Sequence, residues 1–171
     1  MKKFLTICTT LLLLSGISYA QAQKFAHIDF EKLIDAMPEK EVALQTLQKE
    51  YKEAQNMIEE MSVELNKKYM NAQKSLDTLS ALGRQMLEEE LMQQQQRIQM
   101  YQTNAEQRLS ERRESLLNPI LQKAQNSVKE VAEKEGFIYV FDTSEGSQIL
   151  YFSAKSTDIL SLVKKHLGIT E

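Results

Sequence analysis

Residues 44–65, LQTLQKEYKEAQNMIEEMSVEL, decide the fold. Leu44, Leu47, Tyr51, Ala54, Ile58, Met61 and Leu65 step along this stretch by alternating threes and fours. That spacing is the a/d seam of a heptad repeat, the mark of a helix that packs along one line against another helix. Beyond Leu65 the apolar line slips by one residue and resumes as Tyr69, Ala72, Leu76 and Leu79, a stutter that locally unwinds a supercoil.

A second seam follows: Leu87, Leu91, Gln94, Ile98, Tyr101, Ala105, Leu109, Arg112 and Leu116. Two such seams face each other if the chain reverses between them. Asp77, Ser80 and Gly83 offer the reversal, with Ser80 placed to cap the returning helix. The spacing therefore predicts an antiparallel coiled-coil hairpin over residues 39–118 with its tip near 77–83. Arms of about 40 residues reach about 60 Å. Composition agrees, because from Glu39 to Glu135 helix formers dominate and only Gly83 and Pro119 interrupt them. Ala54, Ala72, Gln94, Ala105 and Arg112 stand where Leu or Ile would grip harder, so the arm should flex along its length.

The flanks change character. Pro119 cannot donate to the carbonyl of Ser115. Either the returning helix kinks there, or Asn118 caps a fresh helix that starts at Pro119. Ile120, Ala124, Val128 and Val131 then make a new stripe. Strands are expected at 24–29, 137–142 and 148–152, the last two joined by the turn Ser144-Glu145-Gly146-Ser147 as a hairpin. A short helix from Phe30 to Met37 stops at Pro38, and a last helix is expected at 157–167. Gly83, Gly136, Gly146 and Gly168 all fall at or beside these boundaries.

The fold class is thus α+β and mostly helical, with a small β body formed by 23–38 and 119–171. Outside the hairpin, strands and short helices amount to about 50 residues, too few to bury a self-sufficient core. Dense apolar strands on so small a body predict oligomerisation. Phe25, Ile28, Phe137, Tyr139, Phe141, Ile149 and Tyr151 are the expected shared core.

Residues 1–22 read as a secretory signal peptide: Lys2 and Lys3, an apolar run from Phe4 to Leu14, then cleavage after Ala20 or Ala22. The run is about half of the ~20 residues a bilayer span requires. Removal of the leader takes away Cys8, the one cysteine, and with it any disulfide or thiolate site. It leaves 19 basic and 24 acidic residues, a net charge of −5 in place of −3. An acidic chain argues against nucleic acid as a partner, and no stable membrane insertion is expected of the mature chain.

No catalytic pattern stands out. His27 and His166 are about 140 residues apart, with no nucleophile or ligand motif beside either. Nucleophile-elbow, zinc-helix and phosphate-loop signatures are absent from the sequence, so neither an enzyme nor a cofactor or metal is expected. Methionine is the informative residue. Six of eight lie between Met57 and Met100, and Met57, Met70, Met92 and Met100 fall off the seam. Flexible thioethers adapt to many partner shapes, which makes those four the candidate client-binding residues. Met61 fits the seam and belongs to the core.

Lys24-Phe25-Ala26-His27-Ile28-Asp29-Phe30-Glu31-Lys32-Leu33 resembles the opening strand and short helix of the Skp (OmpH-like) family of periplasmic outer-membrane-protein chaperones. Asn118-Pro119-Ile120-Leu121 and the run from Val128 to Phe137 resemble that family's return to its body; Tyr139-Val140-Phe141-Asp142 and Asp158-Ile159 also fit. The resemblance spans the mature chain, specific at its ends and compositional along the arms. It implies a homotrimer whose nine-segment β body carries three helical tentacles around a cavity. It also implies ATP-independent holding of unfolded outer-membrane proteins in the periplasm. The acidic balance departs from the basic members of the family, and no lipopolysaccharide-binding residue is carried over. Two other readings compete: a structural coiled-coil spacer of the cell envelope, and the hairpin of an efflux adaptor, which calls for large β-rich domains that this chain lacks.

Overall fold

The computed structural model describes residues 23–169; the expected signal peptide lies outside them. The chain runs β1 (Lys24–Ile28), α1 (Phe30–Asp35), α2 (Pro38–Ser75), α3 (Ala81–Glu135), β2 (Phe137–Asp142), β3 (Thr157–Asp158) and α4 (Leu160–His166). The helix boundaries follow from local chemistry. Asp29 caps α1 by accepting the Lys32 amide at 2.9 Å. Met37, held extended before a proline, leads into Pro38 at the first position of α2. Ser80 Oγ accepts the Gly83 amide at 3.2 Å and starts α3. Gly136, at φ 73°, ends α3 in the left-handed conformation while its amide returns to the carbonyls of Ala132 and Glu133.

α2 and α3 form the long hairpin. α3 runs through Pro119 as one helix, so Asn118 does not cap a new one. Leu116 and Leu117 before the proline, with Ile120 and Ala124 after it, pack into one core. That burial on both sides of Pro119 offsets the hydrogen bond it removes. α3 is therefore shared between the arm and the body.

The sheet has the order β2-β1-β3, and both pairings are parallel. Parallel neighbours need a long crossover, and here the crossover from β1 to β2 is the whole hairpin. The expected antiparallel pair of 137–142 with 148–152 does not form. The turn at Ser144–Ser147 is present, with Gly146 at φ 90°, but residues 148–152 belong to no strand. β2 pairs with β1 instead, and β1's other edge is taken by Thr157 and Asp158, where the last helix was expected to begin. The last helix itself starts at Leu160.

A register shift between Lys24 and Phe25 pairs Lys24 with Phe137 and Phe25 with Tyr139. The extra residue reverses the alternation. Phe137 thus packs against the core, whereas Tyr139 and Phe141 stand on the outer face. Beneath the sheet, Leu33, Met37, Ile159 and Val163 are the largest fully buried side chains. Each stabilises the body by about 1.5–3 kcal/mol relative to exposure.

Candidate client-binding arm and assembly face

The arm is held by a second core of Leu65, Ala72, Leu91 and Ile98, against which Ile58, Met61 and Leu87 pack. The expected stutter is absent. From Ile58 the inward line continues through Met61, Leu65, Lys68, Ala72, Ser75 and Leu79, all buried or half-buried, in unbroken heptad spacing. Tyr69 and Leu76, expected in the seam, are each 42% exposed. Lys68 occupies a seam position by laying its aliphatic stem along the interface and pairing with Glu90 of α3 at 2.6 Å. Arg112, another expected seam residue, is exposed and pairs with Glu50 at 3.0 Å, and Lys123 pairs with Glu39. Three cross-helix ion pairs therefore pin the arm near its tip, in its lower half and at its root. Lys68 holds the Glu90 carboxyl below the usual carboxylate range, and Lys123 does the same for Glu39.

Around the Ala54–Ala105 layer the small side chains leave the two helices incompletely packed. A groove of about 810 Å³ on one side takes in Met57, Tyr101 and Arg108, and one of about 540 Å³ on the other takes in Tyr51, Ile58 and Gln102. Ala54, Ala105 and Leu109 border both.

All four candidate client-binding methionines are on the outside: Met57, Met70, Met92 and Met100 expose between 44% and 61% of their surface. They do not share one face. Met57 and Met70 are thirteen residues apart, roughly three and a half turns, and so point to opposite sides of α2. Sequence reasoning missed a second set. Leu44 and Tyr51, also expected in the seam, are 45% and 53% exposed, so with Tyr69 and Leu76 they add to the arm's exposed apolar surface. For Tyr69 and Leu76 the signal was available in the heptad that Lys68 and Ser75 continue; their polarity hid it. Met86 is exposed as well.

The outer face of the sheet is aromatic. The Phe25 ring lies over Tyr139 at 6.3 Å with 7° between planes, and Phe141 lies 6.4 Å from Phe25 and 5.9 Å from Tyr139. Offset rings at this spacing attract beyond their area. Beside them, Ile149, Tyr151 and Phe152 join Phe25 and Phe141 around a groove of about 640 Å³. Leu150 is wholly exposed and Tyr151 81% exposed. Of the expected shared core, Phe25, Tyr139, Phe141, Ile149 and Tyr151 gather on this outer face. Ile28 and Phe137 do not: Ile28 is 2% exposed and Phe137 packs inward, so both serve the chain's own core.

Both histidines make side-chain contacts. His27 Nδ1 is 2.9 Å from Ser156 Oγ, and its ring meets Phe152 at 4.2 Å. His166 Nε2 lies 2.8 Å from Glu130 and ties α4 to α3. Among the described residues, no group of three His, Cys, Asp or Glu side chains could hold a metal ion, and no helix is long and apolar enough to cross a membrane.

A small parallel sheet with one aromatic face, bearing a helical hairpin rich in exposed apolar side chains, defines an arm-bearing α+β architecture. The description Outer membrane protein (OmpH-like) belongs to the family model that matches residues 24–167, and the chain belongs to that family. It is similar to proteins named Chaperone protein Skp. That of Blochmanniella pennsylvanica (strain BPEN) is 28% identical, over 98% of this chain and all of the relative. That of Yersinia enterocolitica is 28% identical, over 96% of this chain and all of the relative. The one from Vibrio cholerae serotype O1 is 32% identical over 72% of this chain and 73% of the relative. The family is thus one of chaperones.

Proposed function

We propose that this protein is an ATP-independent holdase of the periplasm, a homotrimer that keeps unfolded outer-membrane proteins from aggregating until they insert. The observation that carries the reading is the surplus of apolar surface in two separate places. One is the aromatic sheet face with the exposed segment 148–152; the other is the set of methionines, tyrosines and leucines spread around the arm.

The two surfaces suit different partners. The sheet face is continuous, and its neighbour QILYF has strand composition without a strand partner. A second and third copy of the same chain would supply that partner and cover the rings. The arm, by contrast, presents scattered flexible side chains with no single groove. Unfolded barrel strands expose alternating apolar residues that otherwise associate edge to edge. Many weak contacts from several arms would hold such a chain by multivalency and release it without nucleotide hydrolysis. Met57, Met70, Met92 and Met100, on different sides of the hairpin, fit a client that surrounds or threads between arms.

The test is turbidity. A urea-unfolded outer-membrane barrel protein diluted into buffer should stay clear with the chain present in excess. Equal turbidity with and without the chain would leave a structural spacer as the reading.

A further inference from the structure

We infer that the arm methionines form a reversible oxidation site that switches client holding off without unfolding the protein. The inference rests on the proposed holdase function and adds a mode of regulation to it.

Methionine burial divides sharply along the chain. Met57, Met70, Met86, Met92 and Met100 are 44–63% exposed, whereas Met37 is 1% exposed in the body core and Met61 packs against the arm core. Oxidants reach a thioether in proportion to its access to solvent. When hydrogen peroxide meets a sulfur lone pair, an S–O bond forms as the O–O bond breaks. The sulfur loses two electrons and the peroxide leaves as water, giving methionine sulfoxide. None of the five belongs to either buried cluster, so no core contact is lost when they react.

The chemical change falls on the surface proposed to bind clients. A sulfoxide is polar and must be desolvated before it can lie against an apolar segment, so each modified side chain stops being an adhesive point. Because the five residues lie outside both buried clusters, the sheet, the body core and the arm core remain. Sulfoxide reductases return the thioether at the expense of a thiol reductant, which makes the change reversible.

The experiment treats the full chain with graded hydrogen peroxide and maps oxygen uptake methionine by methionine with peptide mass spectrometry. Helix content, melting and suppression of client turbidity are followed in parallel. Five oxidations should precede that of Met37, with helicity and melting unchanged. The concentration of chain needed to keep the client clear should rise roughly tenfold, the sum of small losses at five sites. Reduction by sulfoxide reductases of both epimer specificities should restore it. In the variant with leucine at all five positions, peroxide should leave client holding at whatever level the untreated variant shows. Holding that survives complete oxidation of the five overturns the switch while leaving the holdase reading intact. Loss of helix in step with oxidation, or early oxidation of Met37, overturns it too, because the effect is then unfolding. An untreated chain that holds no client overturns the holdase reading and the switch with it.

Discussion

Lys68 of α2 and Glu90 of α3 meet at 2.6 Å across the hairpin, on the line where apolar residues of the two helices interlock. A cation in a heptad seam fixes which turns of the two helices lie side by side, at a cost in packing. Partly exposed pairs of this kind contribute little to net stability. Lys68→Leu should therefore leave the thermal midpoint unchanged or raise it, because leucine fills the seam that the lysine stem now lines. A clear fall in the midpoint, read by circular dichroism at 222 nm, would contradict the placement of Lys68.

Acid should loosen the arm. Glu90 and Glu39 have carboxyls held below their ordinary value of 4.5 by Lys68 and Lys123. A depressed folded value means the stabilisation is fully present above about 4.5 and disappears as pH falls through the lower, folded value. The thermal midpoint should be flat from neutrality to about pH 5 and decline below it. The variant Lys68→Met/Lys123→Met should show a shallower decline over the same window.

The body core gives a larger effect. Leu33 is fully buried beneath the sheet, and Leu33→Ala should cost about 2–5 kcal/mol through lost burial and the cavity left behind. Urea titration gives the value directly. A loss below about 0.5 kcal/mol, the scale of surface changes, would mean that Leu33 is not packed as described.

Assembly should depend on the outer aromatic face. Phe141→Asp with Tyr151→Asp places two charges on it without touching Leu33, Met37 or Val163. The variant should run as a monomer with its helix content retained. Wild-type mass for this variant in light scattering would move the contact elsewhere.

Client holding should depend on the arm. Replacing Met57, Met70, Met92 and Met100 together with Gln keeps length and flexibility but removes the apolar tip. Suppression of client turbidity should weaken while the thermal midpoint stays within a few degrees of wild type, since all four side chains are exposed. Unchanged suppression would shift the role to Leu44, Tyr51, Tyr69 and Leu76.

What was legible in the sequence was local or periodic. The seam residues Leu47, Ala54, Ile58, Met61 and Leu65, the cap at Ser80 and the stop at Gly136 each stand in the structure, whereas Leu44 and Tyr51 of the same expected line are 45% and 53% exposed. The second seam was legible too, with Leu91, Ile98 and Ala105 buried where the spacing put them. Non-local choices were not. QILYF at 148–152 has the composition of a strand, yet β1 has only two edges, and distant segments of the same chain occupy both. The shift at Lys24 and Phe25 that turns Phe137 inward leaves no trace in the alternation of FIYVFD. In the arm, Lys68 and Ser75 occupy seam positions through a long aliphatic stem and a small side chain. A search for apolar residues therefore slid to Tyr69 and Leu76, which face outward. The candidate site was half legible: the methionines stood out by composition, while the outward turn of Tyr69 and Leu76 became visible only once the true seam was known.

The most direct measurement uses the mature chain and a urea-unfolded outer-membrane barrel protein, diluted together and weighed by light scattering after size separation. A holdase trimer should give one soluble species whose mass equals three chains and one client. A monomer or dimer eluting apart from aggregated client would contradict it, and the hairpin would then stand as a spacer.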